Sequence, residues 1–460
     1  MLKKTRTVLA ALMFTGIVVL FLDWTGLLSP YLGWIPKIQA LEAVLALNAA
    51  VIVGLVLLTL LFGRVYCSVI CPLGILQDIF SGLGGKRRKY RFGYRKANSL
   101  LRYGALAAFV AMFLLGLNSI ACLIAPYAAF GRIIGAGRAA SLPVAAIALV
   151  TLAVIFILAW RGGRTWCNSI CPVGTVLGLL SRFAIFRPVI DTSKCNGCTL
   201  CARGCKASCI NPKEHKIDYS RCVACMDCLS NCRQGAISYK PYFHTMKKKT
   251  DDAADQSRRN FLVTGAALLS AATIRAKADN VKTGAAVLEG RKAPARETPV
   301  KPAGSLSIRN FADHCVSCQL CVNKCPNHVL QPSTRLTSLL QPEMSFEKGF
   351  CDVNCNTCSS VCPAGAIKPI SLEAKSSTRV GHAVVITDNC VMKNGGTCLE
   401  CAKHCPAGAI RPVALEAGSS IKVPSVNTDR CIGCGSCEYH CPSKPYTAIY
   451  IEGNEIHSIA

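Results

Sequence analysis

Thirty of the 460 residues are cysteine, and most of them repeat one spacing. Cys195, Cys198, Cys201 and Cys205 are followed by Cys222, Cys225, Cys228 and Cys232, two CxxCxxCxxxC groups. Four further groups lie beyond residue 306: Cys315, Cys318, Cys321 and Cys325; Cys351, Cys355, Cys358 and Cys362; Cys390, Cys398, Cys401 and Cys405; Cys431, Cys434, Cys437 and Cys441. Thiolates so spaced hold [4Fe–4S] clusters, and in two-cluster ferredoxins the fourth cysteine of each group ligates the partner's cluster. That rule assigns Cys195, Cys198, Cys201 and Cys232 to one cluster, and Cys222, Cys225, Cys228 and Cys205 to the other. For the last four groups the near-equal gaps leave open whether fourth cysteines are exchanged between neighbours or in a nested order. Six [4Fe–4S] clusters are expected in all. A zinc ribbon is the bland alternative, but triplet-plus-one runs suit it poorly. Three departures stand out: Lys206 and Arg233 replace the usual proline, Cys351 and Cys355 open as CxxxC, and Cys390 and Cys398 as Cx7C.

Four more cysteines belong to a different motif. Gly63–Gly74 and Gly163–Gly174 share the pattern GRxxCxxxCPxG, one hundred residues apart. A spacing of four puts Cys67 with Cys71, and Cys167 with Cys171, on one helical face each, and the duplication can bring all four to one point. Three uses are open there: a further iron–sulfur centre, a redox-active thiol set, or a structural metal. Uncompensated thiolates are disfavoured in a low-dielectric site, and Arg64 and Arg164, three residues before each first cysteine, are candidate compensating charges. Cys122 and Cys209 complete the thirty.

The elements that must position these groups differ along the chain. Four apolar runs, Val8–Leu28, Ala40–Phe62, Tyr103–Ala125 and Leu142–Trp160, are each long enough as helix to cross about 30 Å of hydrocarbon. Residues 1–190 carry nineteen Lys/Arg against Asp23, Glu42 and Asp78. Only Lys37, Arg132 and Arg138 fall on the side opposite the basic N-terminus, a positive-inside bias. The net charge of +27 is therefore no argument for nucleic acid. No histidine precedes His215 and no CxxCH occurs, so bis-histidine haem in the apolar half and attached c-type haem are excluded. Asp23 and Glu42 are the acids near the outer helix ends and are candidates to take quinol protons.

The expected fold class is a membrane α-helical domain of four helices in two duplicated hairpins, plus α+β bacterial-type [4Fe–4S] ferredoxin domains. The domains read as 1–190 membrane, 191–245 cytoplasmic two-cluster ferredoxin, 246–280 export-like segment, 281–305 flexible linker, and 306–460 periplasmic four-cluster ferredoxin. Within 255–279, Ser257-Arg258-Arg259-Asn260-Phe261-Leu262 resembles a twin-arginine export signal. A short apolar stretch to Ile274 and a small-x-small site ending at Ala278 follow it.

With these motifs in order, residues 1–240 resemble the NapH membrane ferredoxin family, related to MauN, and residues 255–460 resemble NapG and MauM. The chain looks like a NapH–NapG fusion. The resemblance implies electron transfer in the bacterial inner membrane, from menaquinol or ubiquinol to a periplasmic reductase or c-type cytochrome. Two alternatives are a conduit from a cytoplasmic donor without quinone chemistry, and a maturation or regulatory protein for a periplasmic reductase.

Overall fold

The computed structural model describes residues 2–23, 26–85, 92–136, 142–242, 294, 296–415 and 421–459. The twin-arginine-like segment and most of the linker lie outside these residues. The chain divides into two compact units: Met1–Thr15 with Ala49–Ala129 and Val150–Lys282, and Gly16–Asn48 with Phe130–Leu149 and Thr283–Ala460.

The apolar runs form helices at Leu2–Leu22, Ala49–Phe62, Ser99–Leu114 and Leu142–Gly162. The first and last, at 21 residues each, are long and apolar enough to cross a membrane; the other two are shorter. A 14-residue helix is only about 21 Å long. The run expected at Ala40–Phe62 is broken because Leu47 turns left-handed, with φ of 51°. The Asn48 N–H then donates back to the Ala43 carbonyl at 2.9 Å, which closes the helix Ala40–Leu45 with a Schellman-type cap. The run expected at Tyr103–Ala125 is broken in the same way at Gly116, φ of 74°, where the Leu117 N–H reaches the Met112 carbonyl at 2.8 Å. Glycine adopts that conformation freely; a leucine is strained there by about 1–2 kcal/mol. The first helix begins before Val8 and stops at Leu22, because the Asp23 carboxylate accepts from the Gly26 and Leu28 N–H groups. Leu12, Leu57, Leu114 and Leu149 on these helices are exposed.

In the first unit, each GRxxCxxxCPxG copy folds as a short helix, Tyr66–Val69 or Thr165–Ser169, then a turn at the second cysteine, then a helix, Pro72–Gly85 or Pro172–Leu180. Proline suits the first helical position because no N–H is needed there. The ferredoxin of this unit is framed by β1 (Phe186–Ile190) and β4 (Ile237–Pro241), antiparallel with Ile190 opposite Ile237. Inside this frame lies a small pair, β2 (Ile210–Asn211) and β3 (Lys216–Ile217).

The second unit contains the remaining strands. β5 (Leu330–Pro332) pairs with β6 (Pro342–Met344). β7 (Thr378–Val385) pairs with β10 (Ile449–Ile459) and brackets the last two cysteine groups, with β8 (Ile410–Ala414) against β9 (Lys422–Val426) between them. Its core joins Leu330, Met344, Phe346, Val380, Ile449 and Ile451 to cluster-motif cysteines such as Cys390 and Cys431. These small sheets have few backbone ladders of their own, so the cysteine loops form much of the interior.

Candidate metal centres

Cys195, Cys198 and Cys201 line one cavity together with Cys232. Cys222, Cys225 and Cys228 line another with Cys205. These are the sets expected from the exchange rule. In the second unit the question left open by the sequence has an answer. Cys315, Cys318 and Cys321 share a cavity with Cys362, while Cys351, Cys355 and Cys358 share theirs with Cys325. Likewise Cys390, Cys398 and Cys401 meet Cys441, and Cys405 lies beside Cys431, Cys434 and Cys437. Exchange is between neighbouring groups, first with second and third with fourth. Among the described residues, no three or more Cys, His, Asp or Glu side chains are placed to hold a single metal ion. The four cysteines that line each cavity in triplet-plus-one spacing are the ligand count and pattern of a [4Fe–4S] cluster.

The backbone of these loops supports the same fit. In the four groups with regular CxxCxxC spacing, the residue before the second cysteine and the residue after it are both left-handed. They are Gly197 and Thr199, Ala224 and Met226, Ser317 and Gln319, Gly433 and Gly435. Alternating turns of this kind gather N–H groups into a concave, anion-binding nest, and an iron–sulfur cluster with four thiolates is an anion. Five of these eight residues are not glycine, each strained by about 1–2 kcal/mol, which nothing in the sequence announces. In the two irregular groups the residue after the second cysteine is not left-handed: φ is −120° at Asn356 and −136° at Leu399. The altered spacing thus reshapes the loop. Fourth cysteines gain donors from further on, with the Ala409 N–H at 3.3 Å from Cys405 Sγ and the Ala448 N–H at 3.3 Å from Cys441 Sγ.

The two GRxxCxxxCPxG motifs do converge. Cys67, Cys71, Cys167 and Cys171 are each 4 % exposed and near enough to act on one another's charge. Burial, then the neighbouring sulfurs, push the Cys71 and Cys171 thiols well above their ordinary range. That is the reverse of what a reactive free thiol requires; a cationic centre among them would reverse it. N–H donors are already in place. Arg64 Nη2 lies 3.7 Å from Cys67 Sγ, Gln77 Nε2 donates to Cys167 Sγ at 3.2 Å, and the Gly174 N–H donates to Cys171 Sγ at 3.4 Å. The arginines also cross between the copies. Arg64 donates to the Cys167 carbonyl at 3.2 Å and Arg164 to the Cys67 carbonyl at 2.6 Å. Gly74 and Gly174 are required for this approach, since a Cβ at either would lie 2.2 Å from the other cysteine carbonyl of its own motif, Cys67 or Cys167.

Residues flanking the cluster cysteines tie each ferredoxin to helical segments of its own unit. In the first unit, Ser220, two residues before Cys222, offers its carbonyl to Arg64 at 3.1 Å and to Arg102 at 3.0 Å. Lys206, beside Cys205, reaches Asp78 at 3.6 Å and Asp227 at 3.4 Å, and Lys3 reaches Asp227 at 2.8 Å. In the second unit, Lys324, beside Cys325, pairs with Asp23 at 2.8 Å, both side chains almost fully buried. The Cys318 carbonyl packs on Gly131, where a Cβ would lie 2.2 Å away. Asp23 therefore has a structural use. Glu42 is 1 % exposed, its Oε1 has no hydrogen-bond partner among the described residues, and its charge is felt at Cys318. Cys122 is fully buried.

Comparison with known proteins follows the same divisions. A model described as "4Fe-4S binding domain" matches residues 45–91 and again 144–190, one match on each copy of the duplicated motif. Two models described as "4Fe-4S dicluster domain" match residues 218–329 and 396–444. The methylamine utilization ferredoxin-type protein MauM of Methylobacillus flagellatus is 33% identical over 169 residues, 34% of this chain and 70% of that protein. The chain belongs to the Mau/Nap ferredoxin-type proteins. The ferredoxin-type protein NapG of Escherichia coli is 29% identical over 166 residues, 71% of its length. A second kind of relative is also present: the ferredoxin-type protein NapH of Haemophilus influenzae is 31% identical over 172 residues, 36% of this chain and 54% of that protein. No solved structure matches. As a Mau/Nap ferredoxin-type protein with several 4Fe-4S domains, the chain is an iron–sulfur electron-transfer protein.

Proposed function

We propose that this protein spans the bacterial inner membrane through its four apolar helices and oxidises menaquinol or ubiquinol, passing the electrons to a periplasmic reductase or c-type cytochrome. When bound, six [4Fe–4S] clusters, with a further centre on Cys67, Cys71, Cys167 and Cys171, would carry one electron each along this route. The observation that carries the reading is the attachment of cluster-flanking residues to the helical segments, through Ser220 and Lys206 in one unit and through Lys324 in the other. Exposed leucines on all four helices and the lopsided distribution of Lys and Arg support insertion in lipid. A helix of 14 or 16 residues can be accommodated by local thinning or by the short helices beside it.

In this reading residues 191–245 are cytoplasmic and residues 306–460 periplasmic, carried across by the segment containing Arg258 and Arg259. Glu42 takes a quinol proton: it is a buried carboxylate with an unused oxygen, close to Cys318 in the same unit. Asp23 is committed to Lys324 and holds the ferredoxin in place. The protein in lipid vesicles, given a water-soluble quinol analogue without oxygen, should lose its cluster absorbance with no other donor present. Glu42→Gln should slow this at least about tenfold while reduction by dithionite is unchanged. If only a cytoplasmic donor bleaches the clusters, a second reading holds, in which electrons enter through the 191–245 ferredoxin. The exposed position of Cys198 favours that alternative as an entry point. A reporter active only in the periplasm, fused after Ala460, tests the topology: it should work in the parent and fail with Arg258→Lys and Arg259→Lys together.

A further inference from the structure

Cys209 fits none of the ligand sets, yet it is not an idle small residue. It is 2 % exposed and lines the same cavity as Cys205, Cys222, Cys225 and Cys228. Its Sγ lies 3.6 Å from Cys205 Sγ. Four other cavities, on Cys195, Cys315, Cys351 and Cys390 and their partners, are each lined by four cysteines and no fifth. Its place in the motif is also singular. Four residues after the fourth cysteine, the other groups have Ala236, Val329, Ala366, Ala409 and Pro445, none with a side-chain donor. The position is fixed by the chain: the Asp218 N–H donates to the Cys209 carbonyl at 2.8 Å, and Ile210 pairs with Ile217 in the next register.

A cysteine bound to iron is a thiolate and accepts only; a free thiol is a weak donor. Between Cys205 and Cys209, the proton must therefore belong to Cys209. We propose that Cys209 is a positioning residue whose thiol donates to a ligand sulfur of the Cys205, Cys222, Cys225 and Cys228 cluster, making that cluster the more easily reduced of the two in this ferredoxin. A hydrogen bond to a ligand sulfur withdraws negative charge from the cluster and favours the reduced state, one of the protein's means of setting the potential. The cavity of the partner set is lined by its four ligand cysteines and no further thiol. The proposal rests on the reading that these four cysteines hold an iron–sulfur cluster.

The test uses the full chain, purified without oxygen, as parent, Cys209→Ala and Cys209→Ser, with iron counted and the clusters titrated by redox potential under electron paramagnetic resonance. Alanine is what three sister groups carry at this position, so the fold is expected to hold. In Cys209→Ala one component should move to lower potential with iron content unchanged. In Cys209→Ser, whose hydroxyl still donates, that component should stay near the parent. Superimposable titrations of parent and alanine variant would overturn the proposal, leaving Cys209 as packing. A loss of about four irons per chain in the alanine variant would overturn it too, by making Cys209 a ligand. A parent chain short of that iron from the outset would instead overturn the cluster assignment beneath it.

Discussion

The two copies of GRxxCxxxCPxG share one pattern and do different things with the same arginine. Around the sulfurs the copies are alike: Arg64 and Arg164 each reach the opposite cysteine carbonyl, and Gly74 and Gly174 make the same close approach. One helical turn further on they part. The first copy has Gln77 and Asp78 where the second has Leu177 and Gly178. Arg164 therefore finds a carboxylate, with Nε and Nη2 at 2.9 and 2.8 Å from Asp78. Arg64 finds none among the described residues, and donates to Asn168 Oδ1 and to the Ser220 carbonyl of the ferredoxin. The absent side chain at Gly178 makes room for Arg102 and Ser220, since a Cβ there would lie 2.0 Å from Arg102 Nη2 and 2.5 Å from the Ser220 oxygen. Duplication kept what the sulfurs need. Differences that include Asp78 against Gly178 and Ser68 against Asn168 turn one side of a near-symmetric site into a seat for the ferredoxin.

This contrast can be broken in stages. At the sulfurs the copies should be equivalent. Cys71→Ser and Cys171→Ser should each stop quinol-driven reduction of the ferredoxin clusters and leave dithionite reduction intact; a parent-like rate in either would make these cysteines structural. At Asp78 they should differ. Its carboxyl is buried, which alone would raise its pKa, but Arg164, Lys206 and Arg6 outweigh this and hold it well below the usual range. Asp78→Asn leaves three cations around a neutral amide, one of them fully buried. Thermal or chemical unfolding in detergent should show a loss of about 3–5 kcal/mol. Because the native pKa is depressed, the stabilisation is complete above the unfolded value of about 4 and is lost only as pH falls through the folded value. Stability from this pair should thus be flat between about pH 5 and pH 8.

Smaller changes sharpen the comparison. Gly178→Ala should cost about 1–3 kcal/mol through overpacking and loosen the ferredoxin from its seat, read as faster hydrogen exchange around Ser220. Gln77→Leu, which gives the first copy the residue of the second, should change stability by less than about 1.5 kcal/mol. It removes the side-chain amide that donates to Cys167, so a shift in the potential of that centre without a shift in unfolding would show the donor acting on the site and not on the fold.

Both ferredoxins and the convergence of Cys67, Cys71, Cys167 and Cys171 were legible in the cysteine spacing, because ligand spacing and an exact repeat are local signals. The exchange pattern of the last four groups was not legible, since it depends on which loops share a core. Nor were the left-handed turns at Thr199, Met226, Ser317 and Gln319, where the loop geometry overrides residue preference. Of the two helix breaks, Gly116 is visible as a glycine in an apolar run, while Leu47 carries no mark. The ion pair of Asp23 with Lys324 joins residues 301 apart in sequence, beyond any periodicity. Cys209 could have been found by one comparison within the sequence, the residue four places after each fourth cysteine.

The exchange of fourth cysteines also has a bearing on how the chain is made. A ribosome that has released Cys315, Cys318 and Cys321 has produced three ligands for a cluster whose fourth, Cys362, has yet to be translated. Cys325, meanwhile, waits for Cys351, Cys355 and Cys358. Neither group can be finished alone, and the same holds for the groups from Cys390 to Cys441. A chain truncated between paired groups should therefore lose both clusters of the pair at once, read as iron content.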